Sequence, residues 1–221
     1  MMLAALFGVL PAAFGLATKA VLDRRQASAR RFLDRVIDEF QKPGVTREEV
    51  LGLIESRAEQ PNVQECIFEH VRALASAVSP AAAPPLALLF AEYARPADPR
   101  APDVFFRGVT RALCDLGTDE FPNLLALIGP LVRSSSTIIA DRARVFVSVN
   151  GTSCHYQPIQ GPAGIEESIP TPPGAPRLIW LLKSHGLADD DFGRGNPEGR
   201  TGHGLMYMRF DVARRLGALL R

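Results

Sequence analysis

Met1 to Thr18 contain no charged side chain, and the rest of the chain lacks the motifs that usually announce chemistry. There is no Walker phosphate loop, no G-x-S-x-G nucleophile elbow and no H-E-x-x-H metal signature. An excess of one charge is also lacking. With 25 Lys and Arg against 24 Asp and Glu, the formal charge is +1, so no global field draws in nucleic acid or repels it. Cysteine is scarce: Cys66, Cys114 and Cys154 are far apart and odd in number, and no pair has metal-ligand spacing. Two of them fall within apolar helical patterns and read as small core residues, which points to a reducing cytosol. No self-similarity at 20–50 residues is visible, which argues against a solenoid. No cofactor is implied by any of these features.

What is present begins with polarity at the N-terminus. After the uncharged head, Lys19 to Arg35 hold six basic residues against two acidic ones. An apolar head with a basic collar must either enter a bilayer or be buried by protein. A spanning helix needs roughly 20 apolar residues. The head just reaches the lower limit, but Gly8, Pro11 and Gly15 interrupt it, and Pro11 would kink a continuous helix. Three readings stay open: a hairpin or amphipathic anchor, packed on a membrane or on its own domain; a true span; or a signal segment. If the head meets lipid, the contacts are Leu3, Leu6, Phe7, Leu10, Phe14 and Leu16, with Lys19 snorkelling to the interface.

Apolar periodicity predicts six amphipathic helices across residues 23–133. Phe32, Leu33, Val36, Ile37 and Phe40 form the first stripe, and Thr46 to Glu49 a capping box before Val50, Leu53 and Ile54. Val63, Ile67, Val71, Leu74 and Val78 form the third, which leaves His70 on the polar side as a surface residue. Leu86, Leu89, Phe90 and Tyr93 follow, then Phe105, Val109, Ala112 and Leu116, then Phe121, Leu124, Leu125, Ile128 and Leu131, bent or ended at Gly129–Pro130. The expected architecture is a mainly α multi-helix bundle.

The character changes near residue 133. Val145, Val147 and Val149 alternate with Arg144, Phe146 and Ser148, a strand signal. Six prolines between Pro158 and Pro176 predict an extended loop or linker. Arg177 to His185 reads as a short helix closed by Gly186. A glycine-rich loop follows, then a strand at Leu205 to Phe210 and a last helix capped by Asp211. A helix followed by a two-stranded wing has this order, so residues 177–221 are expected to form a small winged-helix-like α/β element. The division is then an apolar head (1–22), a helical bundle (23–133), a strand with a proline-rich linker (134–176) and the C-terminal element.

Several constellations bear on chemistry. His185, Asp189, Asp190, Asp191 and His203 contain metal-ligating types, but consecutive aspartates usually cap a turn and no ligand spacing is defined. Gly193, Gly195 and Gly199 miss the dinucleotide fingerprint by one residue and follow no strand. Cys154 and His155 are adjacent on an extended chain, so they face opposite ways and cannot activate each other. An enzyme is not expected. A nucleic-acid reader would use Arg177, Lys183, Arg194, Arg200 and Arg209, although the helix 177–185 carries few long polar side chains to reach base edges.

The layout resembles a known group. A broken apolar head (Ala5-Leu6-Phe7-Gly8-Val9-Leu10-Pro11), a basic first helix from Arg24-Arg25 to Phe40, a helical middle, and an ending of Leu-Leu-Lys-Ser-His-Gly-Leu at 181–187 with a glycine-rich wing and Met206 to Leu220 are similar to the bacterial Abi-alpha-like proteins, linked by name to abortive phage infection. The proline-rich stretch from Pro158 to Pro176 departs from that pattern. The resemblance implies a non-enzymatic interaction protein, cytoplasmic or at the inner membrane face, with a role in phage defence and no catalytic residues to carry across. Its partner would be another protein, a second copy or a membrane surface, with nucleic acid as the alternative.

Overall fold

The computed structural model describes residues 16–41, 44–133, 142–148, 151–158, 167–189 and 205–221. The helical periodicity appears as α1 (Leu16–Phe40), α2 (Arg47–Ala58), α3 (Pro61–Ser76), α4 (Ala83–Ala94), α5 (Val104–Asp115) and α6 (Glu120–Arg133), with a single 3-10 turn at Pro80–Ala82. The helix starts follow capping rules. Thr46 and Glu49 form the expected reciprocal box, the Thr46 amide donating to Glu49 Oε2 at 2.7 Å and the Glu49 amide to Thr46 Oγ1 at 3.3 Å. The Thr46 amide and, at 3.0 Å, its hydroxyl both donate to this carboxylate and hold it below the ordinary range. Asp103 Oδ1 caps α5 by accepting from the Phe106 amide at 2.8 Å, and also accepts from the Tyr93 hydroxyl of α4 at 2.7 Å.

The hub of the bundle is α4, whose sequence Ala-Pro-Pro-Leu-Ala-Leu-Leu-Phe-Ala-Glu-Tyr-Ala carries one charge. A helix apolar nearly all round must be covered all round. Leu86, Ala87, Leu89, Phe90, Tyr93 and Ala94 are all buried, packed among α1, α3, α5 and the last helix. By contrast α2 buries only Val50. Leu53 is exposed, and Arg57 ties the helix to the C-terminal end of α4 by donating to the Ala94 carbonyl at 3.3 Å.

One stripe differs from expectation. The buried side of α3 is Val63, Cys66, His70, Ala73 and Leu74, while Ile67 and Val71 are only half-buried and Val78 is exposed. His70, expected at the surface, is 1% exposed. The helix is turned about one position from the most hydrophobic stripe. Small Cys66 and Ala73 let it approach α4 closely, and the imidazole fills the space among Phe32, Phe90 and Phe106.

The C-terminal part is a four-stranded antiparallel sheet in the order β3-β2-β1-β4, made of β1 (Arg142–Val147), β2 (Ser153–Pro158), β3 (Glu167–Pro170) and β4 (Leu205–Arg209), with helices α7 (Ala175–Ser184) and α8 (Phe210–Leu219). The proline-rich stretch, expected as loop or linker, contributes β3. It is an edge strand of four residues ending in proline, where a missing backbone donor costs no ladder bond. As expected, α7 stops at Gly186 (φ +70°). Leu187 donates to the Leu182 carbonyl and Gly186 to that of Lys183, at 2.8 and 3.0 Å. Asp211 is not the cap of α8. The chain passes straight from β4 into the helix at Arg209, so Asp211 already lies in the first turn and pairs bidentately with Arg209 at 2.6 and 2.9 Å.

Ala143, Val145, Val147, Cys154, Tyr156, Met206 and Met208 cover the inner face of the sheet and join the core that runs from Val36 of α1 to Leu219 of α8. The Tyr156 hydroxyl donates to the Leu127 carbonyl of α6 at 2.6 Å. Among the described residues, eight helices and this small sheet make a mainly α protein, and no helix is long and apolar enough to cross a membrane.

Candidate functional site

Of the residues predicted to meet lipid, Leu3, Leu6, Phe7, Leu10 and Phe14 lie outside the described residues, and Leu16 and Lys19 fall in the first turn of α1. Of the predicted nucleic-acid contacts, Arg194 and Arg200 also lie outside. Arg177 is exposed on α7 but engaged: it forms an ion pair with Glu120 and donates to the Asp115 carbonyl at 3.1 Å. Arg209 is held by Asp211, and Lys183 is half-buried on α7. The side chain left open on α7 is Trp180, 62% exposed.

A denser constellation lies on the outer face of the sheet. Strand alternation turns Arg144 and Phe146 of β1, His155 and Gln157 of β2, and Tyr207 of β4 away from the core. The register sets Phe146 opposite His155, and Arg144 between Gln157 and Tyr207. The Phe146 and His155 rings stack with centroids 5.0 Å apart and planes 22° from parallel. The Arg144 guanidinium lies over Phe146, 5.4 Å from the centroid. Ser153 Oγ, 3.0 Å from His155 Nε2, fixes the imidazole from its other edge. The Nε of Arg144 is buried and has no hydrogen-bond partner among the described residues. A guanidinium, a phenyl ring and an imidazole thus cluster across the two central strands, the two rings stacked and the cation over the phenyl ring. Sequence reading reached the alternation of β1 but not this pairing, because it depends on a register that only the folded hairpin defines.

The three thiols and His70 are held in their neutral forms. Burial pushes the Cys66 and Cys114 thiols up to about 12, and the Cys154 thiol is also raised. A thiol so protonated is a poor nucleophile at neutral pH. As expected, Cys154 and His155 face opposite sides of the sheet, one buried and one on the outer face. Burial drives His70 down to about 4, against weaker help from the Cys66 and Leu86 carbonyls. Its Nδ1 lies 2.9 Å from the Cys66 carbonyl, which makes Nδ1 the protonated nitrogen. His185 meets Asp115 at 2.8 Å, and Asp190, Asp191 and His203 lie outside the described residues. No group of three metal-ligating side chains occurs among the described residues.

Comparison with protein-family models, with curated proteins and with solved structures returns no match.

Proposed function

We propose that this is a non-enzymatic interaction protein whose working surface is the outer face of the C-terminal sheet, and that this face engages single-stranded nucleic acid. The observation that carries the reading is the Arg144–Phe146–His155 stack. Flat aromatic and guanidinium faces on a sheet suit an unpaired base, which every sequence can offer, and the arginine suits the phosphate beside it. The raised thiols and the buried, neutral His70 support binding over catalysis. The layout shared with Abi-alpha-like proteins supports a place for that binding in the response to phage.

Fluorescence anisotropy of a labelled single strand and of its duplex, at two salt concentrations, tests this. The single strand binds more tightly, with affinity falling as salt rises. Phe146→Ala weakens it about tenfold, the loss of one stacked base, and does not open the core, because Phe146 lies on the outer face. Arg144→Gln lowers the salt slope by about one. An affinity indifferent to Phe146→Ala refutes the reading.

A winged-helix-like use of residues 177–210 on duplex DNA is the second reading. It is favoured by the antiparallel bridge from Asp189 to Tyr207, with amide-to-carbonyl distances of 2.8 and 3.0 Å, which returns the chain behind α7. Preference for the duplex, lost on Lys183→Ala and kept on Phe146→Ala, distinguishes it. A protein partner or second copy would instead use the exposed Trp180, and binding of that kind is nearly indifferent to salt.

A further inference from the structure

A second site lies away from the outer face of the sheet's Arg144, Phe146 and His155 and does not rest on the reading of the sheet. Between α3, α5 and the end of α7 there is a cleft of about 260 Å³. Its walls bring together two arginines from facing helices, Arg72 of α3 and Arg111 of α5. Among the described residues neither guanidinium has an ion-pair partner, whereas Arg35, Arg47, Arg100, Arg107, Arg177, Arg209 and Arg215 are all paired. The acidic groups of the cleft are already engaged. Glu69 faces Arg107 at 3.8 Å and Asp115 faces His185 at 2.8 Å.

Thr110 stands in the same wall, 1% exposed, and its hydroxyl has no hydrogen-bond partner among the described residues. A buried hydroxyl left unpaired costs free energy that a ligand oxygen would recover. The third wall is fixed by a close approach: a Cβ on Gly108 would lie 2.5 Å from the His185 carbonyl oxygen, so only glycine lets the end of α7 seat against α5. The cleft is therefore preformed by packing.

We infer that this cleft binds a small phosphate-bearing ligand between Arg72 and Arg111, with the Thr110 hydroxyl as a third contact. Two forked guanidinium groups arriving from separate helices match a tetrahedral group with several acceptor oxygens better than a planar carboxylate, which one arginine can satisfy alone. The volume falls below the roughly 300 Å³ at which pockets for drug-sized ligands begin, so the cleft suits a phosphate group with a small remainder. The neighbouring Cys114 thiol, held protonated, takes no part in chemistry on it.

Calorimetric titration of the full chain with inorganic phosphate and with glycerol 3-phosphate, against chloride and acetate at matched ionic strength, tests the site. Both phosphate compounds bind saturably and the controls do not. The tighter of the two identifies the source as a phosphomonoester or as free phosphate. Arg72→Gln and Arg111→Gln, both at exposed positions, each weaken binding about tenfold, the loss of a charge-assisted contact. Thr110→Val weakens it several-fold, on the order of one neutral hydrogen bond, without lowering the stability of the free protein. The inference is overturned if phosphate gives no saturable signal, if acetate binds equally, or if binding survives the loss of both arginines.

Discussion

Lowering the pH through the range where histidine titrates should unfold this protein earlier than its carboxylates alone would. The cause is His70. Its ring lies among Phe32, Phe90 and Phe106 at centroid distances of 5.4, 5.8 and 4.8 Å and is 1% exposed. Burial moves its pKa from 6.5 down to about 4. The sign follows from proton binding. Below 6.5 the unfolded chain takes up a proton that the folded chain refuses until about 4, so stability falls as pH falls through that window. At 1.36 kcal/mol per pH unit the loss reaches about 3 kcal/mol by pH 4, a large share of the 5–15 kcal/mol typical of a domain. Urea unfolding of the native chain and of His70→Leu, between pH 7.5 and 4, isolates it. Near pH 7.5 the two differ by about 1 kcal/mol, the worth of the lost hydrogen bond to Cys66. Towards pH 4 the variant becomes the more stable, because the contribution of the carboxylates is common to both. Parallel curves throughout the range would refute the argument, since they would mean that His70 titrates alike in both states.

Three further outcomes follow from close packing and from burial. Gly217→Ala in α8 places a Cβ 2.6 Å from Val132 Cγ2 of α6 and costs about 1–3 kcal/mol by overpacking; a double-mutant cycle with Val132→Ala recovers much of it if that contact is the cause. Arg215→Ala removes an ion pair to Glu92 at 2.7 Å, a bond to the Tyr93 hydroxyl at 3.2 Å and a stack on Phe105 at 3.7 Å. Discounted for its part exposure, the loss is about 2 kcal/mol by thermal unfolding. The three thiols, buried and held protonated, react with a thiol reagent at pH 8 only as fast as the protein opens, so their labelling rate rises with urea and gives no fast phase.

Much of the bundle was legible because its helices announce themselves twice, by a stripe and by a stop. Thr46 and Glu49 mark a start, and Gly186 marks an end where the positive φ needs it. His70 was not legible for a physical reason. Helix α3 has two overlapping candidate faces, one through Ile67 and Val71 and one through Cys66, His70 and Ala73, and only the partner surface of α4 chooses between them. Strand β3 hid behind its prolines because an edge strand needs few donors. The two candidate sites were illegible for a shared reason. Phe146 meets His155 through strand register, and Arg72 and Arg111 come to line one cleft through the packing of α3 on α5. Both are contacts between elements, which periodicity within an element cannot reveal.

The sheet cannot be understood apart from the bundle. Its inner face is closed by α6, which receives the Tyr156 hydroxyl through the Leu127 carbonyl and seats α8 at Gly217 against Val132. Arg215 then reaches from α8 to Glu92 and Tyr93 of the central helix α4, and Tyr93 in turn shares Asp103 with the cap of α5. A fragment beginning after α6 would expose Val145, Tyr156, Met206, Met208 and Leu216, all buried in the whole chain, and would leave Arg215 without its carboxylate. Such a fragment would bind many things through that uncovered face, nucleic acid included, and the binding would say nothing about Arg144, Phe146 and His155 on the other side. In the intact chain the inner face is closed by the core, so the effect of Phe146→Ala there reports on the outer face alone.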